Sequence, residues 1–145
     1  MPDYVAGFLF NDTKTQVALI RKNKPAWQAG KFNAIGGHIE MNERSRVAMV
    51  REFSEEAGVV LPWLDHFVTI AGNWGSVKFY RTFDSFAFNK IESKTDEQIK
   101  IFGIEDIPWR ECLPNLSWLI PFALYSHDIY WPTLVMEQEG VFGGD

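Results

Sequence analysis

Short apolar runs separated by polar turns occupy most of this chain, and one longer helical period stands near its middle. Residues 4–10 form a continuous apolar and aromatic run, suited to a strand that starts the core. Asn11-Asp12-Thr13-Lys14 is a polar turn and residues 16–21 read as a second strand, so the two predict a hairpin. Residues 32–35 are a short strand-like run that leads into Gly36-Gly37. A missing Cβ there permits positive φ or the close approach of another group. After the helical period, residues 59–61 are a short apolar run closed by Pro62. Residues 66–71 and 76–83 read as strands around the turn Gly72-Asn73-Trp74-Gly75. Residues 86–91 extend or follow the second of these. Residues 92–98 form a polar, acidic loop, and residues 99–104 suit another strand. Residues 106–113 contain Pro108 and read as a connection holding a short helical turn. Residues 117–127 are a second helical candidate, with Trp118, Phe122 and Tyr125 as its buried stripe. Pro121 is tolerated only near the start of that helix, or it kinks it. The final segment, 128–145, holds Tyr130-Trp131-Pro132 and a short strand at residues 133–136, and its role is not legible.

The central helix reads from Asn42 or Glu43 to Gly58, with Asn42 as N-cap and Gly58 in the left-handed position past the end. At about 100° per residue, Glu52, Glu55 and Glu56 share one narrow arc, while Met49, Val50, Phe53 and Ala57 form the apolar side. The arc is a poor way to stabilise a helix. Like charges four apart repel, and Glu55 and Glu56 lie at the wrong end for the macrodipole. Arg51 can pair with Glu55, but one guanidinium does not neutralise three or four carboxylates. Two readings follow. The arc is a solvated charged face, or it holds a hard divalent cation such as Mg²⁺, which takes oxygen ligands in octahedral geometry. Strands, a central helix, more strands and a last helix make an α/β protein with a mixed sheet covered on both faces.

A length of 145 residues suits one domain, 1–145, with one sizeable core. A net charge of -5 argues against broad nucleic-acid binding, so no stable nucleic-acid partner is expected. Cys112 is the single cysteine, which rules out an intrachain disulfide and a thiolate zinc cluster, and a cytoplasmic, reducing setting is expected. No signal peptide is legible, and no apolar segment approaches the ~20 residues that span a bilayer, so no membrane association is expected. Monomer and homodimer both stay open. Arg21, Lys22 and Lys24 cluster where the second strand ends, as a solvated exit or an attraction for an anionic ligand. Trp27 in the following loop caps a ligand or covers the core edge. His38, His66 and His127 are too scattered to form a metal site.

Gly37, Glu43, Arg51, Glu52, Phe53, Glu55, Glu56, Gly58 and Val59 together resemble the signature of the Nudix hydrolases: Gly, five residues, Glu, seven residues, then Arg-Glu-hydrophobic-x-Glu-Glu-x-Gly-hydrophobic. Every fixed position is filled. Phe53 stands where the family usually has Leu, Ile or Val, so a packing adjustment is expected. The resemblance implies an α/β/α sandwich with a mixed sheet, and a loop-helix-loop site that holds Mg²⁺ or Mn²⁺ against a diphosphate. By matching position, Glu52 and Glu56 are the implied main metal ligands with Glu55 beside them. The backbone of Gly36 or Gly37 is a further ligand or diphosphate contact. Arg51 orients the carboxylates, Glu43 supports the loop, and Glu52 is the candidate general base. A later-loop carboxylate completes the set, Glu97 first and Asp96 second.

The box names the reaction and leaves the substrate open. Residues 30–37 resemble the matching segment of the family's oxidised purine nucleoside triphosphatases, where the matching Asn reaches the base. Asn33 offers a donor and an acceptor to a base edge, or makes a local turn bond. Residues 114–121 resemble the segment before the last helix of that subgroup, where an acidic pair reads the oxidised purine. Asn115 and Leu116 stand there instead, which puts selectivity for 8-oxoguanine in doubt. The expected activity is Mg²⁺-dependent cleavage of a nucleoside triphosphate to a monophosphate and pyrophosphate, with Lys22, Trp27, Asn33, Gly36, Asn115 and Trp118 around the substrate. Alternatives are hydrolysis of ADP-ribose or another nucleoside diphosphate derivative, and nucleotide sensing without cleavage.

Overall fold

The computed structural model describes residues 2–126 and 133–135. The apolar run near the start becomes the middle of a mixed sheet. β1 (Asp3–Phe10) is paired along its whole length by the parallel strand β6 (Gly75–Phe83). Its other edge is divided. Tyr4 to Gly7 pair with antiparallel β4 (Ile35–His38), and Leu9 and Phe10 pair with antiparallel β2 (Gln16–Arg21). β2 also pairs with β3 (Phe32–Asn33) and β7 (Ile99–Gly103). β5 (Asp65–Gly72) pairs with β6 and, in parallel, with β8 (Thr133–Val135).

β1 is buried at every position after Asp3, because helices cover both faces of the sheet. Tyr4, Ala6, Phe8 and Phe10 join the core under α3 (Leu116–Tyr125), while Val5 and Leu9 join the core under α1 (Ser45–Ala57). The short helix α2 (Ser85–Phe88) adds Ala87 and Phe88 to the α1 side. The helices therefore sandwich the mixed sheet, as expected. The division of β1's edge has a second consequence. Where β4 gives way to β2 the strands part, and Tyr4, Ala6, Lys22, Asn33, Gly36 and His38 line the cleft between them. No helix among the described residues is long and apolar enough to cross a membrane.

Three expected elements are corrected. α1 begins at Ser45, and Arg44 fills the N-cap position without a side-chain bond. Asn42 instead takes a left-handed φ of 64° in a tight turn closed by the Glu43 N–H to the Glu40 carbonyl at 3.0 Å. Residues 86–91 do not extend β6. Asp84 accepts a hydrogen bond from the Ala87 N–H at 3.0 Å and starts α2, a side-chain cap that outweighs the strand propensity of the phenylalanines. In α3 the buried stripe is Leu116, Leu119, Ile120, Ala123 and Leu124, a helical spacing of 0, 3, 4, 7 and 8. Trp118 and Phe122 pack at the margin of that core, and Tyr125 is exposed. Pro121 lies inside α3, which continues to Tyr125. His127, Tyr130-Trp131-Pro132 and Met136 lie outside the described residues.

Phe53 finds room because of Gly7. A Cβ on Gly7 would stand 2.7 Å from Phe53 Cε2 and 2.9 Å from Met49 Sδ, so the aromatic ring occupies the space that a β1 side chain would take. Gly7→Ala should therefore cost about 2 kcal/mol by overpacking, and Phe53→Leu about 1 kcal/mol by opening a cavity. The double variant should lose clearly less than the sum, measured by urea denaturation; strict additivity would show that the two positions do not share this space.

Candidate active site

The signature residues are organised by one guanidinium. Arg51 grips Glu43 with two bonds, Nε to Oε2 at 2.8 Å and Nη2 to Oε1 at 3.0 Å. The same side chain donates to the His38 carbonyl at 3.0 Å, to Glu52 Oε1 at 2.9 Å and to Glu55 Oε2 at 3.4 Å. Loop, β4 and α1 are thus tied at one point. Glu43 in turn accepts the Glu40 N–H at 3.0 Å. The Arg51 bonds first, and the Glu40 N–H second, hold the Glu43 carboxyl down at about 2. The carboxylates raise Arg51 well above its ordinary range, so it stays charged. A bidentate fork of this kind fixes orientation as well as charge.

Glu52 and Glu56 are the buried members of the arc, at 8% and 9% exposure, whereas Glu55 is exposed. Glu56 lies beside Glu52 on the same buried face of α1. Burial, and then the neighbouring Glu52 carboxylate, push the Glu56 carboxyl far above the usual carboxylate range. Its Oε2 is buried and has no hydrogen-bond partner. Gly37 presses on the pair from β4: a Cβ there would lie 2.6 Å from Glu52 Oε1. Gly36 answers a different need, since its Cβ would meet the Val5 carbonyl oxygen of β1 at 2.0 Å. Of the two readings of the glycine pair, close approach is the one observed at both.

Glu97 faces this pair across a cleft of about 290 Å³ that Glu52, Glu55, Glu56, Asn23, Lys24, Thr95 and Asp96 also line. Glu97 is buried and held firmly. Its Oε1 accepts from Lys22 Nζ at 3.0 Å, and its Oε2 accepts the Asn23 N–H at 2.6 Å. Burial raises its pKa, but these donors more than offset it and leave the carboxyl below its ordinary value. Asp96, the second choice, lines the same cleft and uses its carbonyl to accept from Asn23 Nδ2.

Among the described residues, no three His, Cys, Asp or Glu side chains already stand close enough to hold an ion. The donor set nevertheless fits a hard cation. Two buried carboxylates stand side by side, one of their oxygens lacks any partner, and a third carboxylate lines the same cleft.

A second cleft of about 220 Å³ adjoins the first, and Lys24 lines both. It is lined by Lys22, Asn33, Gly36 and Gly37, and also by Tyr4, Gln28 and His38. Tyr4 and His38 pack ring to ring at 4.5 Å. Asn33 is engaged internally: Nδ2 donates to Gln28 Oε1 at 3.1 Å, and Oδ1 accepts the Ala34 N–H at 2.7 Å. Asn33 thus makes local bonds while it lines the cleft, with Gln28 as a buried partner that no sequence spacing singles out. Asn115 is different. It is buried, and neither Oδ1 nor Nδ2 has a partner. Trp27 sits on a 3₁₀ turn, 41% exposed, and does not line this cleft. Trp118 does not line it either, being committed to the core margin. Cys112 is buried, its thiol pushed up to about 11 by burial, which leaves it inert as a nucleophile.

The NUDIX domain family model matches residues 1–112. The chain belongs to the Nudix hydrolase family. The match includes the Gly37 to Val59 signature and Glu97, and ends before Asn115. Among solved structures, a MutT described for Aliivibrio salmonicida and Vibrio cholerae is similar with a TM-score of 0.67 and 21% identity, over 85% of this chain and 95% of that one. A MutT Nudix hydrolase from Burkholderia pseudomallei gives 0.70 and 16%, over 83% and 95%. The Nudix domain of Shewanella oneidensis NrtR, complexed with ADP ribose, gives 0.69 and 18%, over 82% and 83%. At these identities the likeness is one of fold. No curated protein matches the chain in sequence.

The depressed Glu43 carboxyl yields a pH signature. Its contribution to stability is complete above the ordinary value of 4.5 and is lost as the pH falls toward about 2. Glu43→Gln should destabilise the protein at neutral pH and converge on the parent as the pH drops through that window. Urea midpoints at neutral pH, about pH 4 and about pH 2.5 read this out; a gap of constant size would remove the ion pair as its source.

Proposed function

We propose that this Nudix hydrolase cleaves a nucleoside triphosphate to a nucleoside monophosphate and pyrophosphate, with Mg²⁺ as its ion and Mn²⁺ able to replace it. The observation that carries this reading is the buried Glu52–Glu56 pair, with its unpartnered oxygen, placed beside a cleft that carries Gly36, Gly37 and Lys22. Glu52, Glu56 and Glu97 would hold the ion, with Glu55 at the exposed rim and the Gly37 backbone beside it. When bound, the ion neutralises nonbridging phosphate oxygens and acidifies a water. Glu52 accepts the proton as the water oxygen bonds to phosphorus, and the bridging P–O bond breaks with its electron pair leaving on the departing phosphate. Arg51 is a positioning residue. Its bond to Glu52 Oε1 aims the carboxylate, and its fork on Glu43 keeps that aim rigid.

In this proposal Asn115, which lines neither of the two clefts, is the contact for the nucleotide base. A buried amide with unmet donor and acceptor costs about 1–3 kcal/mol, and a purine or pyrimidine edge supplies both partners. The segment before α3 runs beside β3, the strand that carries Asn33: Cys112 bridges Phe32, and the Leu113 N–H donates to the Phe32 carbonyl at 3.0 Å. A second reading, hydrolysis of ADP-ribose or another nucleoside diphosphate derivative, draws support from the ADP ribose complex of the NrtR domain. Products separate the two: pyrophosphate from a triphosphate, or two monophosphates from a diphosphate-linked compound. The full signature argues for cleavage over sensing alone. The charge and the cleft dimensions suit a small nucleotide, and a cytoplasmic setting and a single domain are part of this proposal.

In a Mg²⁺-dependent screen over canonical and oxidised nucleoside triphosphates and ADP-ribose, kcat/KM should be highest for a triphosphate. Glu52→Gln should reduce kcat by about 10³-fold with the fold intact by circular dichroism; near-normal kcat would remove Glu52 as the base. Asn115→Leu should stabilise the fold by about 1 kcal/mol while raising KM roughly tenfold, since it removes an unmet amide and a base contact together. An unchanged KM would sever Asn115 from the substrate.

A further inference from the structure

Lys22 stands where the two clefts meet. It lines the 220 Å³ cleft with Gly36, Gly37 and His38, yet its ammonium is bonded at 3.0 Å to Glu97, which lines the carboxylate cleft with Glu52 and Glu56. The pair is well sheltered, with side-chain exposures of 18% and 11%. Lys22's backbone is locked on both sides, its N–H to the Lys31 carbonyl and its carbonyl to the Gly30 N–H, each at 2.8 Å. Only the side chain is free to change partners. The Asn23 N–H holds the other Glu97 oxygen and the Asn23 side chain holds the Asp96 carbonyl, so Glu97 keeps its place without the lysine.

Resting on the metal-dependent reading above, we propose that Lys22 is an internal counter-cation that exchanges partners. With no ion bound, the ammonium neutralises Glu97 in a cleft crowded with carboxylates. A divalent ion competes with it for Glu97 and releases it toward the Gly36–Gly37 side, where the phosphates of a substrate take it up. The swap moves no proton and breaks no covalent bond. It follows from charge: a buried ammonium left without an anion is costly, and so is a divalent ion beside an ammonium that has nowhere to go. Ion and diphosphate therefore bind better together than either does alone, and the coupling is reciprocal.

The test is binding, not turnover. Mn²⁺ titrations by electron paramagnetic resonance, with and without methylenediphosphonate as a non-cleavable diphosphate, compare the parent with Lys22→Met and Lys22→Arg. Lys22→Met should bind Mn²⁺ about tenfold more tightly without diphosphate, and the enhancement of Mn²⁺ binding by diphosphate should fall by a similar factor. Lys22→Arg should keep most of the coupling. In a Glu97→Gln background, the Lys22→Met gain should shrink, because the partner being contested is gone. Equal gains in both backgrounds would reduce Lys22 to a distant charge and overturn the exchange. Weaker or unchanged Mn²⁺ binding in Lys22→Met would also overturn it, leaving Lys22 a brace for Glu97. If the parent binds no Mn²⁺ at all, the metal-site reading itself fails, and the exchange falls with it. Melting temperatures of the variants separate these outcomes from misfolding.

Discussion

Two carboxylates buried side by side at the end of α1 set the terms for the rest of this structure. Glu52 and Glu56 stand side by side on the buried face of α1, and one Glu56 oxygen has no partner. Such an arrangement opposes folding: desolvation penalises each charge, and proximity penalises the pair. It persists because the surrounding elements over-determine it. Met49, Phe53 and Ala57 anchor α1 in the core, Gly37 of β4 presses against Glu52, and Arg51 ties the helix to Glu43 and to the His38 carbonyl. The stability given up at the site is offset by apolar packing a turn away. Functional sites commonly hold local cost in this way.

The sheet supplies the second half of the site. A strand has two edges, and β6 takes one edge of β1 completely. The other edge is divided between β4 and β2, so the chain parts there and a cleft opens beside the carboxylates. β4 carries Gly36 and Gly37 to this cleft, and Lys22, just after β2, lines it as well. The ion pair of Lys22 with Glu97 then connects the two clefts, because the loop before β7 is pinned to the residues after β2 through the Asn23 backbone and side chain. Gly36, Gly37 and Lys22 thus line a cleft that adjoins the carboxylate cleft.

Long runs with one dominant period were legible without the fold. The apolar stretch of β1, the boundaries of β2, the turn between β5 and β6 and the left-handed Gly58, with φ of 69°, all follow from local signals. Elements where two signals compete were not. Asn42 is a good capping residue, but Glu43 is committed to Arg51, and the helix starts after both. In α3, aromatic and aliphatic stripes both have helical spacing, and the aliphatic one is buried because its residues fit the space beneath Tyr4, Phe8 and Phe10. Residues 86–91 look like strand, yet β6 ends with β1 and the Asp84 cap turns the chain.

By itself the sequence determined the chemistry that is written in spacing. Three glutamates on one arc of a helix, an arginine beside them and glycines ahead of them need no tertiary information, since the helix alone brings such positions together. What tertiary structure decided is everything that joins distant segments. It made Glu52 and Glu56 buried and Glu55 exposed, it placed Glu97 opposite them, and it paired Lys22 with Glu97 across 75 positions of chain. It also engaged Asn33 with Gln28 while leaving Asn115 without a partner. Burial and pairing depend on which surfaces meet, and no local period along the chain encodes that.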